Sequence, residues 1–412
     1  MKKLDMNIDD QVAYLMRGAE YGDPETYRSM AQELRERLLE ADQEGRPLRV
    51  YCGYDPRTSD LHIGHTITMR KLRQFQELGH HVIFLIGTYT ALIGDPSDKD
   101  KLRAQLSTEE AKRNAESYAE QAFRIRILDR EKTEVRFNAE WLSDLTFKEL
   151  IYLASNFTLQ QFLTRVNFRK RWDNEEAVYF HELFYALMQG YDAYVLDADV
   201  QVGGTDQMFN IMTAARKIMA YYDKKPNVGI ILGILPGTDG EVKMSKSLGN
   251  HIPLNTTPED MFGKVMSVPD KAMPSYARLV TRWTVDKIKE FEAAIESGKL
   301  HPRDAKMELA QEITSAFFNV EKARKAREYF INLFQKRDTP DEMPLYHTNE
   351  AVTLLDVLTH SGTVDSGSQV RRLVKQNGIK VDGERVSDPF VPVNPGSIIQ
   401  VGKRRFLKIV QD

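Results

Sequence analysis

RVYCGYDPRTSDLHIGHTITMRKLRQFQELGHHVIFLIG, residues 49–87, reads in succession as strand, turn, helix and strand. Arg49 to Tyr54 is the first strand. A helix opens near Gly64, with Thr68, Leu72 and Phe75 on one face and Arg70, Arg73 and Glu77 on the opposite one; Gly79 ends it. The run 81–87, HVIFLIG, is too short for a core helix and too continuously apolar for a half-exposed strand, so it predicts a buried parallel strand. Two such strands joined by a helix form a right-handed crossover unit, which makes the chain α/β with a Rossmann-like parallel sheet. Ligands of these sheets bind at the carboxyl ends of the strands, where Tyr51 to His65 falls.

Outward from this unit, residues 1–48 read as helices broken at Gly22-Asp23-Pro24 and ended by Glu44-Gly45-Arg46-Pro47. Further strands are expected at Ala198 to Val202 and Gly229 to Leu235, with a helical insertion at 146–196 before them. A largely helical stretch then runs to about Pro344, and a compact tail starts at Ala351. The expected domains are therefore a catalytic domain over 1–240, an α-helical one over 241–345 and a small α+β one over 351–412. No internal repeat or low-complexity segment interrupts them.

The 412 residues exceed one ordinary core and fit two or three domains. With 42% hydrophobic and 28% charged residues, the composition is that of a soluble globular protein, and no 18-residue apolar run could span a membrane. Charges interrupt every apolar stretch of MKKLDMNIDDQVAYLMRG, unlike a secretory signal. A single cysteine, Cys52, excludes an intramolecular disulfide framework and predicts a cytoplasmic location. The net charge of −3 argues against a generally basic nucleic-acid coat. The segment from Ala351 onward is nevertheless +3, with nine Lys and Arg against six Asp and Glu.

Two motifs carry the chemistry. His62-Ile63-Gly64-His65 opens a helix, whose N-terminal N–H groups and dipole attract phosphate. Lys243-Met244-Ser245-Lys246-Ser247, followed by Leu248-Gly249-Asn250, adds ammonium and hydroxyl groups from a distant segment. In this order the pair resembles the double signature of class I aminoacyl-tRNA synthetases. Tyr185, Gln189 and Asp192, spaced by four and three, stack along one helical face. Read with Tyr51, the Gly94-Asp95-Pro96-Ser97 turn and the segment Gln201-Val202-Gly203-Gly204-Thr205-Asp206-Gln207, they resemble the bacterial tyrosyl-tRNA synthetases that carry a full KMSKS loop. The similarity covers nearly the whole chain.

That resemblance implies that Tyr51 and Asp192 hydrogen-bond a phenol, while Asp95, Tyr185 and Gln189 hold the ammonium group of tyrosine. The chemistry agrees: a carboxylate accepts the phenolic proton and a tyrosine hydroxyl donates to the same oxygen, so phenylalanine would strand both. It implies catalytic roles for His62, His65, Lys243, Lys246 and Ser247, with the lysines closing over developing pyrophosphate charge. ATP would be held by Cys52, Gly53, Asp55, Gly64, Gly204, Asp206 and Lys246, with Gln207 beside tyrosine near the adenylate linkage. Magnesium is expected on the ATP phosphates, since no carboxylate cage for a protein-held metal is visible. Departures from the family pattern are Arg57 before Thr58, Ala91 and Asp98 in place of glycines, and Met208 after Gln207.

Residues 351–412 resemble an S4-type RNA-binding module. Its helix 368–375 has an apolar stripe at Val370, Leu373 and Val374, with Arg371, Arg372 and Lys375 toward solvent, and 380–386 reads as a hairpin around Asp382-Gly383. The implied partners are tRNA(Tyr), L-tyrosine and ATP, and the implied assembly is a homodimer paired through residues 150–190. Two alternatives stand beside this reading: a tryptophanyl relative, and a catalytically silent paralogue that binds structured RNA. The Tyr51–Asp192 pair disfavours the first because an indole N–H only donates. Intact motifs disfavour the second.

Overall fold

A computed structural model of the chain describes residues 4–56, 61–96, 127–245, 248–334, 343–348, 352–402 and 405–411, with scattered positions between 110 and 123. Lys246, Ser247, Arg57, Thr58 and Asp98 lie outside the described residues. The chain forms two compact units, Met1–Arg327 and Glu328–Asp412.

The first unit is built on a parallel five-stranded sheet of order β3-β2-β1-β4-β5. Its strands are β1 (Arg49–Tyr54), β2 (His81–Ile86), β3 (Thr133–Phe137), β4 (Val200–Gly204) and β5 (Val228–Leu232). The order reverses between β1 and β4, which opens a crevice at their carboxyl ends. β1 and β2 match the expected strands: β2 is apolar and buried after His81, while β1 buries Val50, Tyr51, Cys52 and Tyr54 and exposes Gly53. β4 starts two residues late: Asp199 instead accepts hydrogen bonds from the Arg49 backbone N–H (2.8 Å), Arg37 (3.2 Å) and Arg46 (2.8 Å). β3 has no counterpart in the sequence reading. At the sheet edge it needs no apolar run, and its Glu134 meets His81 Nε2 at 2.6 Å.

Helix α1 (Ile8–Met16) and helix α2 (Pro24–Gln43) precede the sheet, and Asp23 caps α2 by accepting from the Thr26 N–H at 2.8 Å. Helix α3 (Thr66–Glu77) follows β1, and its charged side is covered rather than solvated. Lys71 is 4% exposed and donates to the Leu15 and Arg17 carbonyls at 2.6 and 3.0 Å; Arg70 lies 5.3 Å over the Phe317 ring. The insertion contains helices Phe147–Ala154, Leu159–Phe162, Val166–Asp173 and Phe180–Val195. No described helix is long and apolar enough to cross a membrane.

The second unit closes a core of Leu354, Val357, Val370, Val374, Ile399 and neighbours between two helices and a five-stranded sheet. Asp382 (φ +51°) and Gly383 (φ +87°) turn the hairpin between Ile379–Val381 and Glu384–Arg385, a geometry requiring left-handed backbone at both positions.

Candidate active site

All the described residues ascribed to catalysis, tyrosine or ATP line one cleft of about 670 Å³ at the carboxyl ends of β1 and β4. β1 supplies Tyr51, Cys52 and Gly53, and the turn after it Asp55. A single turn of tight helix, Ile63–His65, presents His62, Gly64 and His65. Tyr185, Gln189 and Asp192 come from one face of helix Phe180–Val195, and Gly204, Asp206 and Gln207 from the end of β4.

The inner end of the cleft is polar and buried. Tyr51 is fully buried, and its hydroxyl has no hydrogen-bond partner among the described residues. Burial, then the charge of Asp192, pushes its phenol well above the usual value. Asp192, 2% exposed, accepts from Trp141 Nε1 at 2.8 Å and Asn138 Nδ2 at 3.2 Å. Burial pushes its carboxyl up to about 7 against those two donors, and Asp55 adds to the rise. Asn138 and Trp141 had no sequence signal, because they follow the unread strand β3. The Gln189 amide oxygen is likewise buried and without a partner among the described residues.

Around it the polar groups interlock. Tyr185 donates its hydroxyl proton to Asp55 at 3.0 Å, Thr90 donates to the other Asp55 oxygen at 2.7 Å, and Gln207 Nε2 donates to Asp95 at 2.5 Å. A Cβ on Gly87 would fall 2.2 Å from Asp55 Oδ1, so only glycine lets that carboxylate sit there. Ala91 is buried in the short helix Thr90–Ile93, and Met208 is half-buried. Cys52 is buried and its thiol is pushed up to about 12 by burial, which leaves it a small packing group without nucleophilic character at neutral pH.

The phosphate-side residues face this chamber. The His62 and His65 rings lie 3.9 Å apart, and the His62 backbone N–H donates to His65 Nδ1 at 3.2 Å. Burial, then neighbouring imidazoles and Lys243, pushes His62 down to about 2; burial and Lys243 push His65 down to about 4. Both are therefore neutral hydrogen-bonding groups at pH 7, and cationic charge comes from Lys243, whose Nζ meets Asp206 Oδ2 at 2.9 Å. The loop carrying Lys243 is clasped by Asn250, 5% exposed. Its Oδ1 accepts from the Ser245 N–H at 2.8 Å, and its Nδ2 donates to Asp239 at 2.5 Å and to the Lys243 carbonyl at 3.3 Å. The sequence places Asn250 beside the motif without revealing this role.

In the second unit Arg371, Arg372 and Lys375 are exposed on helix Gly367–Lys375. The Arg371 guanidinium lies 5.8 Å over the ring of Phe390, itself 53% exposed. An arginine on an exposed aromatic ring can meet a phosphate or a base.

The chain matches the family model described as "tRNA synthetases class I (W and Y)" over residues 43–335 and the S4 domain over residues 352–399. It is 43% identical to the tyrosine–tRNA ligase of Moorella thermoacetica over 99% of this chain and 97% of that relative. It is 46% identical to the tyrosine–tRNA ligase of Haemophilus influenzae over 90% of this chain and 92% of that relative. Among solved structures, an Archaeoglobus fulgidus tyrosyl-tRNA synthetase complexed with L-tyrosine shares the fold, with a TM-score of 0.59, 24% identity, 78% of this chain and 100% of that one covered. A family match over most of the chain, a near full-length relative and the parallel sheet with its cleft agree: this chain belongs to the class I tRNA synthetases of the tryptophan and tyrosine family.

Proposed function

We propose that the chain is a tyrosine–tRNA ligase that forms tyrosyl-adenylate and then esterifies the terminal ribose of tRNA(Tyr). The observation that carries the reading is the inner end of the cleft, where a buried Tyr51 hydroxyl without a partner among the described residues and a buried Asp192 carboxylate line the same chamber. A phenol entering there accepts from Tyr51 and donates to Asp192; an indole N–H satisfies only the carboxylate, and a phenyl ring neither. Asp95, Tyr185 and Gln189 hold the substrate ammonium group, within a shell of acceptors that suits a cation.

In the first step the tyrosine carboxylate attacks the α-phosphorus of ATP. A P–O bond forms to the carboxylate, and the bond to pyrophosphate breaks. The enzyme needs no covalent nucleophile; it offsets charge and fixes the line of attack. His62 and His65, as neutral imidazoles, and the N–H groups of the turn that they open bind the nucleotide phosphates. Lys243, with Lys246 and Ser247, meets the charge that develops on pyrophosphate. Gly204, Asp206, Gly53, Gly64 and Cys52 border the nucleotide, with Asp55 and Gln207 near the new linkage. Magnesium carried on the ATP phosphates would supply charge withdrawal there, beside His62, His65 and Lys243. In the second step the terminal ribose hydroxyl of tRNA attacks the activated carbonyl and AMP leaves.

Arg371, Arg372 and Lys375 grip tRNA phosphates. The chain works as a cytoplasmic homodimer joined through the insertion, where Phe147, Val166 and Phe180 are 77%, 83% and 72% exposed, an apolar display that favours a protein partner. Pyrophosphate exchange into ATP, with tyrosine, tryptophan and phenylalanine supplied separately and no tRNA, tests the reading. Exchange with tyrosine alone is expected; exchange with none would leave the chain an RNA binder.

A further inference from the structure

A second cleft, of about 350 Å³, lies against helix α3 and shares Ile67 and Leu232 with the walls of the first. Six of its lining side chains are cationic, Arg17, Arg70, Lys71, Arg73, Arg278 and Arg282, against one carboxylate, Glu77. Three of the six are neutralised by partners: Arg73 by Glu77 at 2.9 Å, Arg278 by Glu292 at 2.6 Å and Arg282 by Glu312 at 2.9 Å. The other three meet no carboxylate among the described residues. Arg17 donates to the Trp283 carbonyl and Lys71 to the Leu15 and Arg17 carbonyls. Arg70 lies over the Phe317 ring, and its buried Nε has no acceptor among the described residues.

Carbonyls and an aromatic face orient a cation but cannot cancel its charge, so Arg17 and Arg70 stay desolvated with no carboxylate in contact among the described residues; Glu77 and Glu312 act on them only from a distance, and burial pulls the Lys71 ammonium well below its usual value. Burial lowers the pKa of Arg70 to about 10; Glu312 and Glu77 oppose that fall, while Arg282 and Arg17 add to it, a repulsion that an anion would relieve. Gln74, 6% exposed, adds an amide whose oxygen meets no donor. A half-turn of that amide presents its NH₂ to an anion.

We infer that this cleft is a binding site for a small phosphoanion, gripped by Arg17 and Arg70 with Lys71 behind them. Guanidinium forks match tetrahedral oxyanions, and the volume is at the lower end of small-ligand sites. A polynucleotide backbone fits less well, because the unpaired charges sit inside a concavity instead of on a ridge. The site stands at the back of the helix that His65 leads into, so an occupant lies one helix width from the phosphate-side histidines.

Titration calorimetry of the full chain with inorganic pyrophosphate tests this without requiring tyrosine or turnover. Two binding events are expected. Arg70→Gln should weaken one of them at least tenfold, and Lys243→Ala should leave that one in place while weakening the other. Arg17→Gln gives the same reading should Arg70→Gln lose its cooperative melting transition. Crystals soaked in tungstate should carry an anomalous peak between Arg17 and Arg70. An Arg70→Gln isotherm that superimposes on the parent, loss of all binding with Lys243→Ala alone, or an absent tungstate peak would each overturn the inference. So would an Arg70→Gln protein that loses tRNA affinity and keeps both pyrophosphate events, which would assign the cleft to RNA. The ligase reading fails on a different result, the absence of tyrosine-dependent exchange.

Discussion

Asp192→Asn is the substitution that most directly probes the phenol site. The exchange keeps the shape and removes the charge. In the parent, both carboxylate oxygens are accepting, from Trp141 Nε1 at 2.8 Å and Asn138 Nδ2 at 3.2 Å. Asparagine has one acceptor oxygen, so its NH₂ must face one of these donors. The substrate phenol loses a charge-assisted hydrogen bond of about 1.5–3 kcal/mol. At about 1.4 kcal/mol per decade that is roughly a 10- to 150-fold rise in KM for tyrosine. On the proposed reading ATP takes the other end of the cleft, so its KM should hold. Exchange kinetics with tyrosine and ATP varied in turn separate the two. The parent should also lose kcat/KM for tyrosine as pH falls through about 7, because protonation of Asp192 removes its acceptor charge, and the variant should lack that limb. Stability runs the other way. A carboxyl whose folded pKa is raised from 3.8 to about 7 stabilises the fold most below pH 4 and loses that contribution as pH rises to 7. The variant should therefore show a flatter stability profile between pH 4 and 7. An unchanged KM for tyrosine, or equal losses for tyrosine and ATP, would remove Asp192 from the phenol site.

Asn250→Ala should strand the Ser245 N–H and free the Lys243 segment, so stopped-flow adenylate formation should slow roughly 10- to 100-fold, the equivalent of about 1–3 kcal/mol, with tyrosine KM unchanged. Arg371→Ala with Arg372→Ala should weaken tRNA aminoacylation and lower the salt slope of tRNA binding by about 2, while tyrosine-dependent exchange persists. Val166→Asp, at a position 83% exposed, should shift sedimentation from dimer toward monomer without unfolding the chain, because no core contact is lost.

What the sequence disclosed was whatever local periodicity encodes. β2 announces itself because a strand buried on both faces must be almost wholly apolar, and helix Phe180–Val195 because its polar residues recur at four and three. β3 did not, since an edge strand tolerates Glu134 and Arg136 paired with neighbours. Missing β3 also hid Asn138 and Trp141, which belong to the turn and helix that it leads into. The cover over the charged face of α3 was not legible for a related reason. Arg, Lys and Glu at helical spacing normally mark solvent, yet here α1 and the helices around Leu279 and Phe317 cover that face, and the carbonyls of Leu15 and Arg17 take the place of water for Lys71.

Selectivity at the phenol end is therefore a property of assembly. Tyr51 and Asp192 can be named from the sequence, but what each can do is set by residues that no spacing connects to them. The two donors on Asp192 favour its charged form, burial and Asp55 oppose it, and burial wins by enough to hold the carboxyl near neutrality. With no phenol to donate to it, that site is costly on both sides: an unpartnered hydroxyl and a carboxylate half-driven to protonate. On the proposed reading a substrate hydroxyl relieves both at once, donating to one and accepting from the other, so discrimination against phenylalanine would come less from what tyrosine gains than from what phenylalanine would leave unsatisfied. The same logic governs the cationic cleft behind α3, where unpaired charge under cover again specifies the chemistry of the group that would settle it.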